Sequence, residues 1–367
     1  MIGIRTDMNE NIASGHLMRC LTIAEQLKIQ QQEVLFIGAD GNGRALTEQA
    51  GFAFVNLHSA WNHMEEELER LEAVLQEYDI ELLLIDSYSV TPVYMERLAA
   101  KVRLAYLDDE QLFNYPVSLL VNDALDAGEE LYPASKARLL LGGDYAPLRS
   151  EFAQGRIAIA ETVMNIMITT GGSDPYHIAY GLARKLLSEN LQYRLHIVAG
   201  RFFDNVEQLQ QLAAQYGRER VHIYEKVQRM SDVMKCCDLA VSAGGTTLAE
   251  LCAMGVPTVA FAFAQNQIAA AEGFARRGWI VYAGSRLGAY DKKELPEEPE
   301  ESAGNETSAE NAFLEAVLEG IRALESREKR CRMAERAASG IDGQGAKRIA
   351  AAICELLSEQ QRKESEQ

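Results

Sequence analysis

Glu81-Leu82-Leu83-Leu84-Ile85-Asp86 is an unbroken apolar run closed by an acid, the form of a strand buried on both faces of a parallel sheet. Leu104 to Leu107 repeats the form and ends in Asp108-Asp109-Glu110. Outward from this run, Met1 to Ile4, Val34 to Ile37 and Ala53 to Leu57 read as further strands. Helices are expected between them: one from Gly15, with Leu17, Leu21, Ala24 and Leu27 at helical spacing and Ser14 as cap, then Arg44 to Gln49 and Met64 to Gln76. Strand alternating with helix implies a doubly wound sheet whose ligands bind at the carboxyl ends of the strands. Asp7, His16, Asp86 and Asp108 are expected to converge on that rim.

A break at Tyr145 to Arg156 is followed by a second alternation. Strands are read at Asn165 to Thr169, Arg194 to Ala199, Val221 to Tyr224, Leu239 to Ser242 and Thr258 to Phe263. The chain of 367 residues is long enough for two such domains. We expect an N-terminal Rossmann-like domain over 1–150, a second over 151–345, and a C-terminal helix with a frayed tail over 346–367. Within the second, Asp291 to Asn311 is acidic and carries Pro296, Pro299, Ser302 and Gly304; such a segment cannot build a core and reads as an exposed, mobile insertion. Two Rossmann-like domains suggest an enzyme whose ligand lies at their interface.

Apolar residues make up 47% and charged residues 25%, ordinary for a soluble globular protein. A formal net charge of −18 repels phosphate backbones and anionic lipid, so neither nucleic acid nor stable membrane association is expected. No charged leader precedes an apolar core and no long apolar run occurs, which predicts a cytoplasmic protein. The six cysteines form no metal-type pair with a two-residue spacer and read as reduced, buried small hydrophobes. No nucleophile elbow, P-loop or complete Gly-x-Gly-x-x-Gly fingerprint is present.

Three further stretches can carry chemistry. Gly171-Gly172-Ser173-Asp174 joins a strand to a helix, and its backbone N–H groups suit a phosphate; equally, tight turns use glycine for geometry alone. Ala243-Gly244-Gly245-Thr246-Thr247-Leu248-Ala249-Glu250 adds hydroxyls and an acid. Its amides with Thr246 or Thr247 can hold a pyrophosphate while Glu250 accepts two hydrogen bonds from a ribose diol. The alternative is a capping box of Thr247 with Glu250. Asn266 and Gln267, after the next apolar strand, offer amides to sugar hydroxyl and acetamido groups, or form a plain polar turn. His16 itself is either a reactive group at a helix start or an ordinary residue of a first turn.

Several stretches together resemble one family. They are Arg5-Thr6-Asp7, Gly15-His16-Leu17-Met18-Arg19, Ile85-Asp86-Ser87-Tyr88, Leu107-Asp108-Asp109, Tyr145 with Leu148-Arg149-Ser150-Glu151-Phe152, Gly171-Gly172-Ser173-Asp174, Asn266-Gln267, and Asp342-Gly343-Gln344-Gly345-Ala346. The family is that of the UDP-sugar hydrolases of pseudaminic acid biosynthesis, acting on UDP-2,4-diacetamido-2,4,6-trideoxy-β-L-altropyranose, with relatives in spore-coat polysaccharide synthesis. It is akin to the lipid II glycosyltransferases, whose donor-binding signature resembles Ala243 to Glu250. The resemblance implies a GT-B fold: two Rossmann-like domains facing across a cleft, the second holding a UDP-sugar, with neither metal nor cofactor. By the same resemblance His16 matches the general base, Glu250 the ribose-binding acid, and Asn266 and Gln267 the sugar-side amides. Asp7, Gly15, Tyr88, Gly171, Gly172, Gly244, Gly245, Thr246 and Thr247 complete the expected binding set. Ala13 departs from the family's glycine at that place. The implied reaction is attack of His16-activated water on the anomeric carbon, with C–O cleavage, inversion and release of UDP. A glycosyltransferase using a sugar or lipid acceptor, or a silent nucleotide-sugar binder, are the alternatives.

Overall fold

The computed structural model describes residues 1–9, 12, 14–153, 155–189, 192–289 and 306–365. Two compact units divide the chain: residues 1–150 with 343–367, and residues 151–342.

The first unit runs β1 (Ile2–Thr6), α1 (Gly15–Ile29), β2 (Val34–Gly38), α2 (Arg44–Gln49), β3 (Ala53–Asn56), α3 (Leu68–Glu77), β4 (Leu82–Asp86), α4 (Pro92–Ala99), β5 (Arg103–Leu107), β6 (Leu119–Asn122) and β7 (Arg138–Leu141). Its strands form one parallel sheet in the order β3-β2-β1-β4-β5-β6-β7. The order departs from β1 in one direction and from β4 in the other, so the topological switch point lies between them, with Thr6 opposite Asp86. Every residue of β1 and β4 is buried, as the apolar run at 82–85 predicts. On one face Leu17, Cys20, Leu21, Ile23, Ala24 and Leu27 of α1 enter the core. Leu71 and Val74 of α3 and Tyr94, Met95 and Leu98 of α4 fill the other. Helix α4 starts where Pro92 follows Thr91, whose side chain accepts the Tyr94 N–H.

The second unit runs β8 (Asn165–Thr169), α5 (Ile178–Ser188), β9 (Arg194–Ala199), α6 (Val206–Tyr216), β10 (Val221–Glu225), α7 (Met230–Lys235), β11 (Leu239–Ala243), α8 (Thr247–Met254), β12 (Thr258–Ala262), α9 (Gln265–Arg276), β13 (Val281–Ser285), α10 (Glu306–Ala323) and α11 (Arg327–Gly340). Its parallel sheet has the order β10-β9-β8-β11-β12-β13, which puts the switch point between β8 and β11. Buried Arg330 ties this unit together by donating to the carbonyls of Leu324, Glu325, Ala160 and Glu161, thereby satisfying the end of α10.

The last helix, α12 (Gly345–Ser365), corrects two expectations. Its stripe of Ala346, Ile349, Ala350, Ile353 and Leu357 is buried in the core that α1 also covers, so the helix and residues 343–345 belong to the first unit rather than closing the second domain at 345. The expected frayed tail is helical through Ser365. Residues 306–311, assigned to the acidic insertion, begin α10; residues 291–305 lie outside the described residues, as does Ala13. Helix α3 is preceded by a tighter turn at Met64–Glu67. The cysteine expectation holds for Cys20, Cys237 and Cys252, while Cys236 is exposed and Cys331 and Cys354 are half-buried. Among the described residues no helix is long and apolar enough to cross a membrane.

Candidate active site

At the first unit's switch point, β1 delivers the chain to α1 and β4 ends in Asp86. His16 lies in the first turn of α1, buried, with Nδ1 3.5 Å from Asp86 Oδ1. That separation is within ion-pair range but beyond hydrogen-bond geometry, and Nδ1 has no hydrogen-bond partner. The Tyr88 ring, half exposed, meets the imidazole edge-on with centroids 4.4 Å apart. Gly15 begins the helix, and a Cβ built there meets only open space. Ser14 occupies the cap position without making a side-chain cap, contrary to the sequence expectation.

Arg19, one turn along α1, organises the surrounding charge. Its Nε and Nη2 donate to Asp86 at 2.7 and 2.5 Å, and its Nη1 and Nη2 donate to Asp109 at 3.0 and 2.8 Å. Burial opposes ionisation of Asp86, but Arg19 outweighs it and holds the carboxyl below its usual range. Tyr88 donates to Asp109 Oδ2 at 3.1 Å, and burial with the Asp109 charge pushes its phenol up to about 12, so it stays a donor. Asp123, just past β6, joins the group. Burial pushes its carboxyl up to about 6, with Arg19 pulling down and Asp109 adding to the rise.

Not all four rim residues meet. Both carboxylate oxygens of Asp7 are committed, Oδ1 to the Ala39 N–H at 2.7 Å and Oδ2 to Arg5 at 2.6 Å. Arg5 is fully buried and also pairs with Glu67, which in turn accepts from Tyr94 and Ser59. Asp7 is thus an anchor of the sheet's end rather than a ligand-facing group. Asp108 accepts from the Glu110 and Gln111 amides and from the hydroxyls of Tyr115 and Tyr132, which fixes the loop after β5. Only His16 and Asp86 of the four come together.

In the second unit two glycine turns flank the switch point. After β8, Gly171 adopts φ +87°, a conformation only glycine takes without strain, and the Gly172 carbonyl accepts the Phe202 N–H at 2.9 Å. The helix that follows is closed from within: Asp174 accepts the Ile178 and Ala179 amides at 2.9 and 2.8 Å. After β11 the turn is different. A Cβ on Gly244 would fall 2.7 Å from the Gln267 carbonyl, so glycine is required for α9 to pack there. Gly245 and Thr246 are exposed, and Thr246 holds the N-cap position of α8 without making a side-chain cap hydrogen bond. Thr247, the cap residue of the expected capping box, is instead the first residue of the helix. Glu250 lies in the first turn of α8. Asn266 and Gln267 sit in the first turn of α9 rather than in a loop; Asn266 is exposed, and Gln267 Oε1 accepts the Phe263 N–H at 3.0 Å.

Sequence reasoning missed the charged group formed by Arg19 with Asp86 and Asp109, and Asp123 beside it. It also missed Tyr176, whose ring contacts Phe263 at 6.4 Å and carries the Arg286 guanidinium at 5.6 Å. Spacing on α1 could have flagged Arg19, three residues after His16; nothing local flags Asp123.

Comparisons with known proteins agree with this architecture. Residues 166–284 match the glycosyltransferase family 28 C-terminal domain. The chain is 24% identical over 282 residues to the UDP-2,4-diacetamido-2,4,6-trideoxy-beta-L-altropyranose hydrolase of Campylobacter jejuni, covering 76% of this chain and 97% of that one. To the spore coat polysaccharide biosynthesis protein SpsG of Bacillus subtilis it is 24% identical over 288 residues, covering 76% and 81%. An uncharacterized protein of Methanocaldococcus jannaschii matches at 24% over 273 residues, and there the chain spans 54% of the relative's length. Among solved structures, MurG of Acinetobacter baumannii superposes with a TM-score of 0.66 at 15% identity, over 96% of this chain and 99% of that one. The chain has the GT-B fold and resembles the UDP-sugar hydrolase and its spore-coat relative.

Proposed function

We propose that the protein is a nucleotide-sugar hydrolase that releases UDP from a UDP-linked diacetamido-trideoxyhexose, in nonulosonic acid or surface polysaccharide synthesis. The observation that carries this reading is the His16–Asp86 pair at the β1/β4 switch point. A proton on Nδ1 faces Asp86 and leaves the Nε2 lone pair as the base. His16 takes a proton from water, the water oxygen bonds to the anomeric carbon, and the bond from that carbon to the phosphate oxygen breaks. UDP leaves with the electron pair, and the configuration inverts. The open start of α8 receives the diphosphate on backbone amides and the Thr246 and Thr247 hydroxyls, with the helix dipole stabilising its charge. Glu250 takes the ribose diol, and Asn266 with the Gln267 amide N–H groups faces the sugar. The resemblance to the Campylobacter hydrolase favours this substrate class.

His16→Ala is expected to lower turnover about 10²–10⁴-fold with UDP affinity little changed. Wild-type turnover in that variant overturns the assignment. The match to the family 28 C-terminal domain favours a second reading, a glycosyltransferase in which His16 deprotonates an acceptor hydroxyl. Incubation with the UDP-sugar alone separates the two: stoichiometric UDP and free sugar support the hydrolase, and UDP only on adding an acceptor supports the transferase.

A further inference from the structure

We propose that Arg19 is the positioning residue of His16, one guanidinium fixing both groups that confine the imidazole. This rests on His16 being the base. On one side Arg19 clamps Asp86 through two hydrogen bonds, and Asp86 Oδ1 stands 3.5 Å from His16 Nδ1. On the other it clamps Asp109 through two more; Asp109 accepts the Tyr88 hydroxyl, and the Tyr88 ring stands edge-on to the imidazole at an interplanar angle of 81°. The route from Arg19 to His16 therefore closes a ring: Arg19, Asp86, His16, Tyr88, Asp109 and back to Arg19.

Two features make this arrangement specific to arginine. Asp86 is fully buried and Asp109 is 29% exposed at its side chain, so without the cation two carboxylates would face each other and the buried one would have no counter-charge. A planar guanidinium can bind both in fork geometry, whereas a lysine ammonium is a point charge that serves one at a time. The three-residue spacing puts Arg19 and His16 on one face of α1, so the helix carries the base and its support as one rigid piece. Cys20 adds a weak thiol contact to Asp86 at 3.4 Å, and Asp123 supplies further negative charge beside Arg19.

The Tyr88 ring current gives a readout that needs no substrate. In the full chain with isotope-labelled histidine, the His16 ring protons carry a displaced chemical shift that Tyr88→Leu abolishes. Arg19→Lys is expected to collapse that displacement and to lower kcat about 100-fold with KM for the UDP-sugar little changed. Asp109→Asn, at the exposed end of the ring, keeps the buried Asp86–Arg19 pair and is expected to fold, to lose much of the displacement and to lower kcat less. Unchanged His16 shifts in either folded variant overturn the proposal, as does a fall in kcat without any change in shift or a rise in KM alone. Should Arg19→Lys fail to fold, Asp109→Asn decides. If the wild type releases no UDP, the hydrolase reading fails while the ring-proton shifts still test the positioning.

Discussion

The two glycine turns of the second unit look alike as sequence and differ as structure. Each leaves a parallel strand beside the switch point and enters a helix. In the β8–α5 turn a carboxylate of the chain itself, Asp174, occupies the helix-start amides. In the β11–α8 turn the N-cap residue Thr246 makes no such bond, and Gly245 and Thr246 stand exposed. A helix start already holding an internal anion has little left for an external one, whereas an uncapped start has unsatisfied amides and a positive dipole end. Of the two glycine turns, only the one whose helix start the chain does not fill with its own carboxylate leaves backbone amides for an external anion.

That contrast can be broken by substitution. Gly245→Ala places a methyl in open space and leaves the fold unchanged, so it tests the ligand alone. UDP affinity measured by calorimetry is expected to fall about 10–100-fold, because the methyl would hold the diphosphate away from the amides at the start of α8. Gly172→Ala, whose methyl comes no nearer than 4.0 Å to Phe202, is expected to leave UDP affinity unchanged. Equal losses in both variants erase the distinction.

The next effect comes from acid and concerns the sheet that carries both turns. His196 is buried, with Nε2 donating to Asn165 Oδ1 at 3.3 Å and Nδ1 accepting from the Tyr224 hydroxyl at 3.0 Å, a neutral ring satisfied at both nitrogens. Burial and the stacked His222 ring push its pKa down to about 4. The unfolded chain therefore binds the proton more tightly. This unit loses stability as pH falls from the unfolded value near 6.5 towards 4, and gains nothing above it, by about 3 kcal/mol in all. Urea unfolding of the wild type and of His196→Leu across that interval checks the sign. A wild-type slope no steeper than the variant's refutes it, and comparisons of UDP binding are cleanest above the interval.

Smaller changes separate capping from binding. Asp174→Ala removes two amide acceptors and is expected to destabilise the start of α5 by about 1–2 kcal/mol, seen as faster hydrogen exchange at the Ile178 and Ala179 amides, with UDP affinity intact. Thr246→Ala is expected to do the reverse: stability within about 0.5 kcal/mol of wild type, because no cap is lost, and weaker UDP binding. Faster exchange at α8 in Thr246→Ala would mean a cap exists after all.

Much of the architecture was legible in local pattern. The 82–85 run announced a doubly buried strand, and the helical spacing of Leu17, Leu21, Ala24 and Leu27 announced α1. Other elements escaped the reading: β6, β7 and β13, and the helices α4 and α9, although the equally short β3 was read. The apolar stripe of α12 marked it as a helix, but the surface it covers belongs to α1 and to residues around β6, about 200 or more positions earlier, and no local signal carries that.

The same division holds at the candidate site. Residue order alone determined that a histidine follows the first strand, that an acid ends the fourth, and that glycines precede two helices, because each is a property of consecutive residues and their periodicity. Only the tertiary structure decided which of these face one another. The parallel register that sets Thr6 beside Asp86 brings His16, Arg19, Asp109 and Asp123 to one rim, and it turns Asp7 towards Arg5 instead. Whether a helix start is capped is likewise a matter of side-chain direction. Asp174 and Thr246 both follow a glycine turn, and the folded geometry alone closes α5 with the Asp174 carboxylate and leaves Thr246 at the start of α8 without a cap hydrogen bond.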